Sequence, residues 1–171
     1  MAETLSLVTY GAGVLRKEGE SIVEVTEEIR RLGKEMLEVM YAEGGIGLAA
    51  PQVGLSKRLF VVDGSNIDPA IRPMVLMNPE ISKSEGKEVE AEGCLSLPGL
   101  EVEVKRAQKI HVRAMDLEGE IIDFDAKGFF ARIIQHEIDH LNGILLLDYL
   151  NPVERVLAVW KLRKKLKGIL Q

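Results

Sequence analysis

The residues best suited to chemistry form one short run, His136-Glu137-Ile138-Asp139-His140. At 3.6 residues per helical turn, His136 and His140 lie on the same face of a helix, one turn apart. Two imidazoles so placed can reach one metal ion, and Glu137 lies beside that site without being a ligand. The pattern predicts a metal site beside which Glu137 could hold a metal-bound water. A solvated pair of histidines on a surface helix is the alternative with the same spacing.

A catalytic metal site usually has three protein ligands and one open position, so a third ligand must lie elsewhere. His111 lies between Ile110 and Val112 on a predicted strand, and the alternation of side chains places it on the surface. Cys94, the only cysteine, lies in a turn of small residues. It is either a ligand or a buried structural thiol, because sequence spacing alone does not bring it to the helix.

A third segment, residues 45–52, combines glycines and small apolar residues with a single amide, Gln52. Loops are normally polar and exposed, so an apolar glycine-rich segment suggests a backbone that lines a pocket. Gln52 would then orient a bound group through its side-chain amide. An ordinary buried turn is the alternative interpretation.

The elements that must position these residues follow from hydrophobic periodicity and from turn residues. A helix is predicted from about Thr26, its cap, to Tyr41, before two glycines end it. Strands are predicted at 58–62, 74–77 and 100–105, and a hairpin at 109–125 that turns at Gly119.

Two further helices are predicted after the hairpin. The helix with the histidines is expected between a cap at Asp125 and Gly143, and the last helix covers about 152–168. Asn151, Pro152 and Glu154 have the spacing of a capping box. The order of elements predicts an α+β fold, with mostly antiparallel sheets packed around a central metal-binding helix and with N-terminal and C-terminal helices.

Composition limits the possible classes of protein. A chain of 171 residues is expected to form a single catalytic domain, and its net charge of −5 argues against DNA binding. No apolar run approaches the roughly 20 residues that span a bilayer, so no membrane partner is expected. With one cysteine and no basic-then-apolar leader at the N-terminus, the expected location is the cytoplasm.

Three segments together point to a family. Gly45-Ile46-Gly47-Leu48-Ala49-Ala50-Pro51-Gln52, Glu92-Gly93-Cys94-Leu95-Ser96 and the run from Gln135 to Gly143, in this order, resemble the three signature motifs of peptide deformylases. The resemblance implies removal of the formyl group from the N-terminal formyl-methionine of nascent polypeptides, with release of formate.

The resemblance also implies roles for individual residues. Cys94, His136 and His140 would hold one divalent metal ion, ferrous iron (Fe²⁺) in most members, with Zn²⁺ or Ni²⁺ possible in preparations. Glu137 would act as general base, and Gln52 and the Leu95 backbone N–H would stabilise the developing oxyanion.

The substrate peptide would lie extended beside backbone groups of Ile46, Gly47 and Gly93. The methionine side chain would enter an apolar pocket to which Phe129 and Ile133 contribute. Arg132 departs from this pattern, because an apolar residue is expected one turn before His136. Its stem is expected to pack while its charge reaches water at the pocket rim.

Two other features bear on function. A zinc peptidase using the same two-histidine helix is the alternative enzyme, but nothing downstream resembles its third-ligand motif.

Residues 154–171 carry six basic residues against Glu154 alone. One helical stripe could dock this tail on the body while the basic residues face outward, and the resemblance implies that they contact ribosomal RNA phosphate. A solvated, charged terminal helix is the alternative. The stripe consists of Val156, Leu157, Trp160, Leu162, Leu166 and Ile169.

Overall fold

A computed structural model describes residues 4–169 of the chain. Of Ile169 it describes only the backbone. Its seven strands are β1 (Gly47–Ala49), β2 (Leu59–Val62), β3 (Met74–Glu85), β4 (Glu88–Cys94), β5 (Leu97–Arg106), β6 (Lys109–Met115) and β7 (Ile121–Lys127). Its α-helices are α1 (Glu27–Ala42), α2 (Gly128–Leu141) and α3 (Pro152–Ile169). The predicted α+β class is therefore confirmed.

All strand pairs within the two sheets are antiparallel. A five-stranded sheet has the order β1-β2-β3-β6-β7, and β4 pairs only with β5 in a separate hairpin. The predicted hairpin at 109–125 is present as β6 and β7, and Gly119 lies in its turn with a φ of 81°. The strands predicted at 74–77 and 100–105 are longer than expected, and β1 and β4 were not predicted.

The five-stranded sheet separates two hydrophobic cores because its side chains alternate between its faces. Phe60 and Val62 of β2 pack in the core that includes Ile134 of α2. Leu59 and Val61, the alternate residues of the same strand, pack in the core that α1 covers. Helix α2 therefore packs on one face of the five-stranded sheet, on the side opposite α1. This agrees with the predicted central position of the helix that carries the histidines.

The ends of α1 and α3 are formed by the predicted caps. The Thr26 hydroxyl accepts a hydrogen bond from the Ile29 N–H at 3.3 Å. Asn151 and Glu154 form the reciprocal bonds of a capping box, at 2.9 and 3.2 Å. Each such cap stabilises its helix by about 1 kcal/mol.

The predicted cap of α2 was wrong. Asp125 remains in β7, where it pairs in register with His111, and the strand continues to Lys127. Lys127 occupies the cap position without a side-chain bond, and Gly128, with a φ of 60°, turns the chain into the helix. The predicted stop is correct, since Gly143 adopts the left-handed conformation.

Helix α3 docks through only part of the predicted stripe, because Leu162 is buried and Leu166 packs against the same core. Ala158 and Leu162 are buried in a third core with β5, whereas Val156, Leu157 and Trp160 are more than half exposed. The side chain of Ile169, also in the predicted stripe, lies outside the described residues.

Among the described residues, no helix is both long enough and apolar enough to cross a bilayer.

Candidate metal centre and active site

Three potential ligands converge where the end of β4 meets the middle of α2. The Cys94 sulfur lies 3.3 Å from Nε2 of His140, and that atom lies 3.2 Å from Nε2 of His136. All three ligand atoms lie within 4.8 Å of one another. The tertiary structure thus brings Cys94 close to α2. Sequence spacing alone could not predict this contact.

These separations fit a metal ion. Sulfur and nitrogen atoms at about 2.0–2.3 Å from one tetrahedral ion lie roughly 3.3–3.6 Å from each other. Burial lowers the pKa of His140 well below its ordinary value, so its imidazole is neutral and can offer a lone pair. Cys94 and His136 also line a cavity, so an ion held by these residues would be accessible from it.

Glu92 orients His136 from behind. One carboxylate oxygen lies 3.4 Å from Nδ1 of His136, which leaves Nε2 of that ring for the metal. Arg106 binds the same carboxylate with two hydrogen bonds, at 2.9 and 2.8 Å. Burial opposes ionisation of Glu92, but the bonds from Arg106 and His136 outweigh it and lower its pKa to about 2. The carboxylate is therefore charged at neutral pH.

Arg132 does not reach water, so the expected solvent-exposed charge was wrong. The residue is 4% exposed, and its guanidinium donates to Glu92 and to the backbone oxygens of Val104 and Glu88, at 2.8–3.2 Å. The reason is that β4 presents its acidic residues to α2, which satisfies the charge inside the protein. Arg132 thereby fastens the strand that ends in Cys94 to the helix that holds both histidines.

Glu137 has a buried environment that suits proton transfer. Its side chain is buried, and its Oε2 is one of two buried side-chain atoms without a hydrogen-bond partner among the described residues. Burial raises the pKa of Glu137 to about 7, so the carboxyl can both accept and release a proton near neutral pH. A Cβ on Gly47 would lie 2.6 Å from Glu137 Oε1, so only glycine allows this approach.

Gln52 lies on the opposite side of the ligands, at the end of the glycine-rich segment. This segment is ordered structure, consisting of β1 and a short 3-10 helix over Ala50–Val53. The Gln52 carbonyl oxygen Oε1 accepts from the Ala49 N–H at 2.9 Å, and its Nε2 lies 3.6 Å from the Cys94 sulfur. One N–H group of its amide therefore faces the candidate metal centre.

One cavity of about 620 Å³ connects these groups. Every residue predicted for the site lines it except His140, which is buried. Phe129 is 48% exposed at its edge, whereas Ile133 is buried. His111 is remote from the cavity, as predicted, and is bonded to Asp125 and Asp123 at 2.7 and 3.2 Å.

Sequence reasoning assigned no role to Arg106 or Tyr149, which support the centre from outside. Arg106 also binds Asp139 at 2.6 Å, and the Tyr149 hydroxyl donates to the same carboxylate at 2.6 Å. Asp139 lies within the two-histidine run, so its partners could have been sought among the cations. No local pattern identifies which cation that is.

Comparisons with known proteins agree with this geometry. The family model described as polypeptide deformylase matches residues 4–156. The chain belongs to the polypeptide deformylase family. The peptide deformylase of Thermodesulfovibrio yellowstonii is 47% identical over 163 residues, which is 95% of this chain and 96% of the relative.

Solved structures of family members match the fold. A peptide deformylase from Legionella pneumophila has a TM-score of 0.91 and 37% identity, covering 99% of both chains. One from Synechococcus elongatus, in complex with actinonin, has a TM-score of 0.85 and 41% identity over 94% of this chain and 89% of that one. This chain is therefore a metal-dependent hydrolase that removes the formyl group from the N-terminal formyl-methionine of nascent polypeptides.

Proposed function

We propose that Cys94, His136 and His140 together hold one divalent metal ion within a single catalytic domain. The observation that carries this proposal is the convergence of three ligand atoms, with separations of 3.2 and 3.3 Å, beside the buried Glu137. When bound, such an ion lowers the pKa of a water molecule and polarises the carbonyl under attack.

Glu137 moves the protons of the reaction. It accepts a proton from the attacking water and later delivers it to the leaving amine, which requires a carboxyl that is stable in both states near neutral pH. A buried carboxyl with a pKa of about 7 has this property. Negative charge develops on the formyl oxygen, where the Gln52 amide and the Leu95 backbone N–H donate to it.

The substrate lies along the glycine-rich side of the cavity. Backbone groups of Ile46, Gly47 and Gly93 line it and can pair with an extended peptide, as in strand addition. The first side chain enters beside Phe129 and Ile133, and the stem of Arg132 forms a further wall.

Formate release from a formylated methionine dipeptide, measured with the metal-loaded protein, tests these assignments. The same peptide without its formyl group is the control, because a peptidase of the two-histidine type would cleave it. Cleavage of the unformylated peptide, without formate release from the formylated one, would contradict the proposal.

We propose that the physiological metal is ferrous iron. The donor set suits iron and zinc equally, so oxygen sensitivity is the property that separates them. Ferrous iron held by Cys94 would give one electron to dioxygen, the superoxide released would dismutate to hydrogen peroxide and dioxygen, and the peroxide would oxidise the Cys94 thiolate along the sulfenic–sulfinic series. We expect the iron-loaded protein to lose activity in air faster than nickel- or zinc-loaded protein.

The measurement is residual deformylation over time, with metal content determined in parallel and the mass of the Cys94 peptide recorded. Catalase should extend the lifetime of the iron form. Equal lifetimes of the three forms at equal metal content would contradict either iron as the metal or Cys94 as its ligand.

We also propose that α3 holds this protein, in the cytoplasm, near the ribosome that supplies its substrate. The basic side chains of the outer face are exposed, while Leu162 anchors the helix. We expect replacement of Lys161, Lys164 and Lys167 by Gln to weaken co-sedimentation with ribosomes at low salt. Binding of the unaltered protein should fall steeply as salt rises, because phosphate contacts release counterions.

Charge replacement tests this better than truncation, because truncation before Leu162 would remove a buried side chain. The matched control replaces three exposed lysines elsewhere, Lys34, Lys87 and Lys105, by Gln. Dipeptide turnover should be unchanged in both variants. If both sets of replacements reduce ribosome binding equally, the helix has no specific role and only net charge matters.

A further inference from the structure

The side-chain amide of Gln52 is held at both ends. Its oxygen accepts from the Ala49 N–H, and its nitrogen lies 3.2 Å from the Ser96 hydroxyl and 3.6 Å from the Cys94 sulfur. An amide nitrogen carries two hydrogens. One therefore faces Ser96, and the other faces the side of the cavity where the ligands converge.

Ser96 is unusual among the polar residues of the protein because it is completely buried, at 0% exposure. Burying a hydroxyl group without a hydrogen bond costs about 1–3 kcal/mol, so a buried serine is expected to have a specific partner. The partner shown by the structure is Gln52, which is itself 2% exposed.

The N-terminal segment fixes the backbones of the same two residues. The Val8 N–H donates to the main-chain carbonyl of Gln52 at 2.8 Å, and the Tyr10 N–H donates to the main-chain carbonyl of Ser96 at 2.9 Å. Residues 8–10 therefore bridge the short helix that carries Gln52 and the hairpin that carries Ser96. Together with the bond between the two side chains, these contacts form a closed ring of hydrogen bonds.

We propose that Ser96 is a positioning residue that orients the Gln52 amide toward the formyl oxygen. The final torsion of a glutamine side chain has a broad energy minimum, so the bond from Ala49 alone leaves the amide plane free to rotate. The Ser96 hydroxyl removes this freedom before the substrate arrives. Donors that are oriented in advance stabilise a developing charge without reorganisation during the reaction.

This inference rests on the proposed role of Gln52, and a double-mutant cycle separates the two. We expect Gln52→Leu to lower kcat by roughly 10²–10³-fold, the usual effect of removing one oxyanion donor. We expect Ser96→Ala to lower kcat by about 10-fold with KM little changed, because part of the amide's orientation is lost. In the double variant the Ser96 change should add nothing to the Gln52 change.

A purely structural role for Ser96 would instead reduce stability and add its effect in both backgrounds. Thermal unfolding and metal content of each variant are therefore measured beside turnover of the formylated dipeptide. Ser56→Ala is the matched control, since the Ser56 hydroxyl bonds the Glu18 carbonyl at 3.3 Å, at an exposed site outside the cavity lining.

The outcomes are distinct. Full activity of Gln52→Leu would overturn the proposed role of Gln52 and this inference with it. A large loss in Gln52→Leu, combined with normal kcat in Ser96→Ala or with additive losses in the double variant, would overturn the role of Ser96 alone. A loss in Ser96→Ala that disappears in the Gln52→Leu background supports it.

Discussion

Replacement of Glu137 by Gln is expected to lower kcat for deformylation by roughly 10²–10⁴-fold while metal remains bound. The amide keeps the shape of the side chain but cannot accept a proton from the attacking water. This loss corresponds to about 3–5 kcal/mol of transition-state stabilisation. Because the Gln52 amide, the Leu95 N–H and the metal ligands are unchanged, activity above the uncatalysed rate should remain.

The measurement is formate release under saturating substrate, with metal content determined for each preparation. Glu43→Gln is a suitable control, because Glu43 also lines the cavity but is exposed and is not part of the candidate metal-binding cluster. It should keep nearly normal turnover. Near-normal turnover of metal-loaded Glu137→Gln would show that another group carries the proton.

Replacement of Gly47 by Ala should reduce kcat by about two orders of magnitude without changing any group that takes part in the chemistry. The new Cβ would lie 2.6 Å from Oε1 of Glu137, which is closer than real Cβ contacts allow, and a tight 3.0 Å from its Cδ. Glu137 is buried, so its carboxylate must move away from the attacking water. A displacement of about 1 Å in a catalytic group can cost 10²-fold in rate.

The kinetic parameters of Gly47→Ala are compared with those of Gly13→Ala, whose added Cβ would meet no atom within 4 Å. Gly13→Ala should behave as the unaltered protein. Metal content should be normal in both, because neither change touches a ligand. Unchanged kcat in Gly47→Ala would mean that β1 yields to the methyl group, and that Gly47 does not fix the position of Glu137.

Local sequence rules identified the elements whose signals are local. The caps of α1 and α3 depend on residues three positions apart, so Thr26 and the pair Asn151 and Glu154 were recognisable in the sequence. The same applies to the two histidines, whose proximity follows from helical geometry alone. Asp125 has the chemistry of a cap as well, but pairing with His111 across β6 and β7 keeps it in a strand.

What could not be predicted depends on pairing between distant segments. Strand β4 alternates Glu88, Glu90 and Glu92 with smaller residues, and the one buried residue of the strand is the charged Glu92. This departs from the usual pattern, in which the buried residues of a strand are apolar. The burial of Arg132 depends on Glu92, because a guanidinium can be buried only where a carboxylate pairs with it. The approach of Cys94 to α2 also depends on how β4 packs against this helix. Only the family resemblance predicted it.

Glu137 Oε2, which has no hydrogen-bond partner within residues 4–169, has a consequence for how this protein can evolve. A buried carboxyl without a full set of partners lowers the free energy of unfolding, and an apolar side chain of similar volume would pack there with less cost. Selection for thermal stability alone would therefore favour loss of Glu137, and selection for turnover must hold it in place. The rest of α2, with Ile134 and Leu141 fully buried, supplies the excess stability that makes such a residue tolerable.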